Sequence, residues 1–159
     1  MTVSSSRLSF VTTRERPDLA VVTGRWRWNA FFSESGLSFE DLMERERAAT
    51  ADHALLPQVY VLLDAGEPIG MVALCDDDLD DRPDLNPWLA GLYVTPEHRA
   101  KGHARRLVAK IESVAAASGI ERLSLYSASA VGLYRSLGWT TVETFARDDA
   151  LFHVMRKCL

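Results

Sequence analysis

The segment Arg99-Ala-Lys-Gly102-His-Ala104-Arg105 carries the residue types best suited to holding an anion. Gly102 lets backbone approach a ligand with no Cβ in the way, and Ala104 is the next smallest choice. Arg99, Lys101 and Arg105 gather positive charge around the same point. Trp88 to Val94, just upstream, is apolar and rich in aromatic and branched residues, as a buried strand is. Thr95-Pro96-Glu97 breaks it, because proline cannot continue a central ladder. From Ala104 the apolar residues fall at Leu107, Val108, Ile111, Val114 and Ala115, one helical stripe, with Arg105, Arg106, Lys110 and Glu112 opposite. A strand, loop and helix in this order aim the unpaired N–H groups of a helix start at one point, at the positive end of its dipole. Phosphate is the usual guest of such a site. Neither G-x-G-x-x-G nor G-x-x-x-x-G-K-[ST] is present, so this is not a dinucleotide fingerprint or a P-loop. Spacing alone admits equally a plain strand–helix connection with scattered basic residues.

The elements that must position this loop follow in chain order. Leu8 to Thr12 alternates as a first strand. Pro17-Asp18 opens a helix with Leu19, Val22, Trp26 and Ala30 on one stripe and Val21, Trp28 and Phe32 on a second; Gly36 ends it. Trp26 and Trp28 read as core, with Trp28 alternatively an aromatic wall for an acceptor substrate. Ser38 caps the next helix, with Glu40 and Asp41 in its first turn and Phe39, Leu42 and Met43 as anchors. Gln58 to Asp64 and Ile69 to Cys75 form an antiparallel hairpin around Ala65-Gly66-Glu67-Pro68. Asp76 to Pro87 is acidic and proline-interrupted, either a solvated connection or an electrostatic lure for a cationic substrate, with Asp84 as a candidate substrate-binding carboxylate. It lacks calcium-loop spacing, and no metal is expected. Ser118-Gly119 ends the long helix, and Ile120 to Tyr126 is another buried strand. Ser127 to Ala130 begins a short helix reaching Leu137, and Gly138 stops it; Thr140 to Phe145 and Leu151 to Arg156 are a final strand pair. This order predicts a mixed sheet flanked by helices, an α+β or α/β layered domain over residues 1–159.

The bulk numbers bound the function. The 159 residues are 47% hydrophobic and 25% charged, ordinary for a soluble domain with a sizeable core. With 18 basic and 22 acidic residues the net charge is −4, which argues against nucleic acid as a main partner. No stretch reads as a signal peptide or membrane span, and Cys75 and Cys158 form no C-x-x-C, so a cytoplasmic location is expected.

Arg99-Ala-Lys-Gly102-His-Ala104 fits the [Q/R]-x-x-G-x-[G/A] signature of the GNAT acetyltransferase superfamily. Ala130-Val-Gly-Leu-Tyr134-Arg-Ser-Leu-Gly-Trp139 resembles that family's second landmark, a helix tyrosine followed by Leu-Gly-aromatic. The resemblance runs from about Gln58 to Lys157. It implies a mostly antiparallel mixed sheet with a splayed central strand pair, and acetyl-CoA as donor. Pantetheine would lie along Leu92, Tyr93 and Val94, and the pyrophosphate on Arg99, Ala100, Lys101, Gly102, His103, Ala104 and Arg105. Ser127 stands where many relatives hydrogen-bond pantetheine through an asparagine, and Ala100 and His103 also depart from common choices. Tyr134 matches the tyrosine that protonates or hydrogen-bonds the departing thiolate; the plain alternative is a helix tyrosine packed on the sheet. No base is identified: Asp84, Glu143 and His153 qualify by chain position only, and water-mediated deprotonation is open. The first two helices would shape the acceptor side. The implied function is N-acetyl transfer to a primary amine of a small molecule or peptide in a ternary complex, with a homodimer expected by analogy. The alternative is a non-catalytic acyl-CoA-binding sensor.

Overall fold

The computed structural model describes residues 7–50, 58–76, 78–79 and 82–159. The strands are β1 (Leu8–Thr12), β2 (Gln58–Asp64), β3 (Glu67–Cys75), β4 (Trp88–Val94), β5 (Arg122–Ser127), β6 (Thr140–Arg147) and β7 (Ala150–Cys158). The helices are α1 (Leu19–Arg27), α2 (Phe39–Thr50), α3 (His103–Ala117) and α4 (Val131–Ser136). One sheet runs in the order β1-β2-β3-β4-β5-β7-β6, antiparallel everywhere except between β4 and β5. The acidic loop is described except at Asp77, Asp80 and Asp81, and the first six residues also lie outside the described set.

One expectation is corrected. The helix expected from Pro17 to Gly36 is α1 followed by a π-helical turn over Trp28–Phe32. A π turn inserts one residue per turn relative to an α-helix and rotates everything beyond it. The two apolar stripes drawn at α-helical spacing therefore lose register beyond Trp28. Elsewhere the boundaries differ by a few residues, as at β7, which runs two residues beyond Arg156. The Ser38 cap is present: its Oγ accepts the Asp41 amide at 3.0 Å.

The α3 face of the sheet carries the main core. Leu107, Val108, Ile111 and Ala115 are fully buried against Leu62, Val72, Leu74, Leu89, Leu123, Leu125 and Met155. On the other face, α1 buries Leu19 against Val61 and Leu63. Farther along that face, Trp88, Leu85 and Val154 form a third cluster with Tyr126 and Phe145 beside it.

Two helix ends explain why the sequence punctuates as it does. At the end of α3 the Ile120 amide donates to Ala115 O at 3.0 Å and Gly119, at φ +82°, donates to Ala116 O at 3.1 Å. At the end of α4 the Trp139 amide donates to Tyr134 O at 3.0 Å and Gly138, at φ +94°, donates to Arg135 O at 3.1 Å. Both have the paired hydrogen bonds of a left-handed C-terminal stop, in which the residue after the glycine packs back on the last turn. Here that contact is Trp139 edge-on to Tyr134, ring centroids 6.0 Å apart. The Tyr-x-x-Leu-Gly-Trp spacing is thus also a helix-stop device. The Trp139 indole and the Lys157 ammonium both bond Glu112 of α3, at 3.2 and 2.7 Å, tying the stop to the long helix.

A Cβ on Gly138 would meet Lys157 Cε at an ordinary 3.5 Å, so substitution there is opposed by its backbone angle rather than by space. Gly138→Ala is expected to lower unfolding free energy by about 1–2 kcal/mol. Gly132→Ala, inside α4 with open space at its Cβ, is expected to raise it by about 0.5–1 kcal/mol. Urea denaturation of the two variants reads the difference.

Candidate active site

The site begins where the sheet stops being a sheet. β4 and β5 pair only at Trp88 and Ser124, with the Ser124 amide on Pro87 O at 3.1 Å. Beyond that point they diverge. On its other side β4 pairs with β3, but the register jumps: Met71 faces Tyr93 and Ala73 faces Ala90, leaving two residues, Gly91 and Leu92, opposite Val72 alone. This is a bulge, which turns a strand and increases its twist. Gly91 sits at φ +65°, and a Cβ there would stand 3.2 Å from Arg27 Cδ and 3.4 Å from Met71 Cε. Arg27 thus fits beneath the bulge and ion-pairs with Glu46, joining α1 and α2 to the splay point.

A groove of about 530 Å³ opens from this gap. Leu92, Tyr93 and Val94 form one wall; Ala100, Gly102, His103, Ala104 and Arg105 form the end. Gly102 is at φ +83° with nothing within 4 Å of its Cβ position, and it caps α3 without a side-chain hydrogen bond. The Arg106 amide is the first to be bonded within the helix, to Gly102 O at 3.2 Å. The amides of residues 100–105 meet no acceptor among the described residues. Six consecutive donors are therefore unpaired within the protein, five of their residues line the groove end, and a helix of 15 residues backs them.

The charged side chains divide by role. Arg99 Nε donates to Val94 O at 2.9 Å and its guanidinium lies 5.5 Å from the Tyr93 ring, so it braces the loop on the strand. Arg105 reaches Ser136 Oγ of α4 at 3.2 Å across the groove end. Lys101 is exposed and forms no ion pair among the described residues. His103 is buried, its Nδ1 sealed without a partner. Burial, and then the neighbouring charge of Arg106 and His98, hold its protonation below the ordinary histidine range, against an opposing pull from Asp64.

The remaining expected residues are placed less centrally. Ser127 Oγ accepts the Ala130 amide at 3.1 Å, capping the turn into α4, and Ser129 lines the groove instead. Tyr134 is 5% exposed, next to groove-lining Leu133, with its ring among the core residues. Its hydroxyl makes no hydrogen bond to a described residue, and burial pushes its pKa well upward, keeping the phenol protonated. Trp28 donates its indole N–H to Leu37 O at 2.9 Å and does not line the groove. Three residues later, Phe31 does, and is 54% exposed. Asp84 precedes β4, at the end away from the phosphate loop, where Arg82 holds it bidentately at 3.1 and 3.0 Å and keeps its carboxyl below the usual range. Arg82 also bonds Glu143, and His153 Nδ1 lies 3.2 Å from Thr141 Oγ1.

Sequence reasoning missed Gly91, Phe31, His98, Ser129 and Leu133. An isolated glycine inside an apolar strand was the available signal for Gly91. Phe31 had none, since its direction depends on the π turn.

The family model for the acetyltransferase (GNAT) family matches residues 23–139. The chain belongs to the GNAT acetyltransferase family. Solved structures agree in fold. A GNAT-family acetyltransferase from Streptococcus pneumoniae superposes with TM-score 0.71 at 18% identity, covering 96% of this chain and 99% of its own. The Salmonella typhimurium protein yncA, solved with its cofactor acetyl-CoA, gives TM-score 0.71 at 17% identity over 96% and 94%. A dodecameric spermidine N-acetyltransferase from Vibrio cholerae gives 0.70 at 22% over 97% and 95%. No match was found among curated protein sequences.

GNAT enzymes use acetyl-CoA. The residues present fit it: six orphaned amides and a Cβ-free Gly102 make a diphosphate cradle, and the unpaired side of β4 offers main-chain partners to an amide-bearing arm. Among the described residues no group of three His, Cys, Asp or Glu side chains could hold a metal, and no helix is long and apolar enough to cross a membrane.

Gly102→Glu places bulk and negative charge before those amides, and acetyl-CoA affinity by calorimetry is expected to fall by more than about tenfold. Gly102→Ala, which adds only backbone strain, is expected to lose less. Separately, the unfolded His103 ring takes a proton near pH ~6.5, before the folded one does. Its contribution to stability is complete above that pH and lost as pH falls through the lower folded value. His103→Leu is expected to flatten the decline in melting temperature between about pH 7 and pH 5.

Proposed function

We propose that this GNAT enzyme transfers acetyl from acetyl-CoA to a primary amine, in a ternary complex, on a small molecule or peptide. The single observation that supports this most is the juxtaposition of the cradle at residues 100–105 with the splay between β4 and β5. The cradle fixes one end of the donor. The gap then leaves its other end between two strands, open to the face that α3 does not cover. Bound there, the coenzyme supplies an activated acetyl thioester.

The protein's own groups have three tasks. Backbone N–H groups near the Gly91–Leu92 bulge hold the carbonyl oxygen, where hydrogen bonding strengthens as negative charge develops. Tyr134 donates a proton or hydrogen bond to the leaving sulfur. Its support is a hydroxyl without an intramolecular partner, on a phenol that burial keeps protonated and so suits to donate rather than accept. Deprotonation of the amine is assigned to water. Asp84 and Glu143 are both engaged by Arg82, and the lowered pKa of Asp84 makes it a weaker base. Trp28 contributes by holding the π turn that presents Phe31 to the groove. A homodimer belongs to the same proposal, by analogy with relatives, and light scattering tests it.

Release of CoA thiol in the presence of an amine panel tests the function. Tyr134→Phe is expected to reduce kcat by about a hundredfold or more while acetyl-CoA binding persists. An unchanged kcat would remove the acid role. Tight acetyl-CoA binding without turnover across the panel would instead favour a binding module.

A further inference from the structure

The face of the sheet opposite α3 is only half covered. α1 packs over β2 and β4, and α2 packs on α1. Over β5 and β7 on that side lies the short 3-10 turn Pro83–Leu85, with Leu85 against Trp88 and Val154 and Leu79 alongside. Beside it is a floor of rings. Tyr126 on β5 borders the gap and meets Trp88 edge-on at 6.0 Å. Phe145 and Phe152, a cross-strand pair, stack at 5.2 Å with planes 9° apart, each 5.9 Å from Tyr126.

Alternation on β6 puts Glu143, Phe145 and Arg147 on this same face. Glu143 is taken by Arg82. Arg147 is different. Its guanidinium lies 5.2 Å from the Phe145 ring centre and 5.9 Å from those of Tyr126 and Phe152. It meets no carboxylate among the described residues. Of the other guanidiniums toward this side, Arg82 is neutralised by Asp84 and Glu143 and Arg27 by Glu46, while Arg156 donates its Nε to the buried Ser124 hydroxyl. A cation held against aromatic faces keeps its N–H edges directed away from them, in the fork that matches a carboxylate. The turn that ends its strand, Asp148-Asp149, is a tight one with both residues at positive φ, which fixes where Arg147 stands.

We infer that Arg147 and the Tyr126–Phe145–Phe152 floor bind the carboxylate end of the acceptor, so that the acceptor is of the amino-acid class: an amine that also carries a carboxylate. This rests on the proposed N-acetyl transfer and names its substrate class. Arg147 stands 5.9 Å from the ring centre of Tyr126, and Tyr126 lies on the strand that borders the gap, so an acceptor amine at the gap and its acid at Arg147 would lie on either side of that one residue. A zwitterion of amino-acid size spans that interval. A long polyamine would bring a second positive charge against Arg147.

The test uses thiol release with acetyl-CoA and three kinds of acceptor: L-amino acids, their primary carboxamides, and spermidine. Amino acids are expected to exceed their carboxamides in kcat/KM by about tenfold, the scale of one charge-assisted hydrogen-bonded pair. Arg147→Gln is expected to bring that ratio close to one through a raised KM for the acid, and Arg147→Lys to restore part of it. The ratio in the unmodified protein stands even if a variant fails to fold. Carboxamides or spermidine used as well as or better than amino acids, or a ratio unchanged in Arg147→Gln, would overturn the inference and leave the transferase reading standing. No thiol release with any acceptor, from protein that binds acetyl-CoA in calorimetry, would overturn both.

Discussion

Everything in this molecule accommodates one deficit of pairing: two neighbouring parallel strands whose ladder has a single registered pair, Trp88 with Ser124. Main-chain groups left unpaired inside a protein cost about 1–3 kcal/mol each, so a gap of this kind persists only where neighbours hold both edges. On the β4 edge the hold is Arg27 beneath Gly91, backed by its ion pair with Glu46. On the β5 edge it is antiparallel pairing with β7 along the whole strand, from Arg122 to Ser127. The same arrangement that is costly when empty offers a ready set of donors and acceptors to an amide-bearing guest.

The second set of unpaired groups, at residues 100–105, depends on α3 being immovable. Its buried stripe presses on five strands' worth of side chains, and its outer flank is tied through Glu112 to Trp139 and Lys157. Lys157 also reaches Leu137 O at 2.7 Å, so the stop of α4 and the end of β7 share one ammonium. Donor cradle, sheet and tyrosine helix are thereby held as one body. The Tyr134 motif therefore has a structural role of its own: the residue closes a helix and seals a core.

The loop and the long helix were legible because their chemistry is local. Gly102 needs its positive φ, the basic residues are adjacent, and a stripe from Leu107 to Ala115 admits one reading. What escaped depends on offsets or on distance. A π turn at Trp28–Phe32 leaves no trace in apolar periodicity, yet it decides that Phe31 rather than Trp28 meets the groove. Ser127 and Ser129 are equivalent as letters; only the turn into α4 spends the first and exposes the second. Asp84 and Glu143 looked available as bases because nothing in sequence announces that Arg82 would bridge them.

The order β5-β7-β6 has a consequence for how the chain can be assembled. β7 lies between its two predecessors, so β5 and β6 have no contact to make with each other until the final strand is available to insert. The hairpin of β2 and β3 needs only a turn between neighbours, but the half of the sheet bearing the aromatic floor closes last, with its registry set by residues 150–158. A ribosome-bound chain stopped after β6 would present two unmatched strand edges and a tyrosine helix with no Lys157 to secure its end.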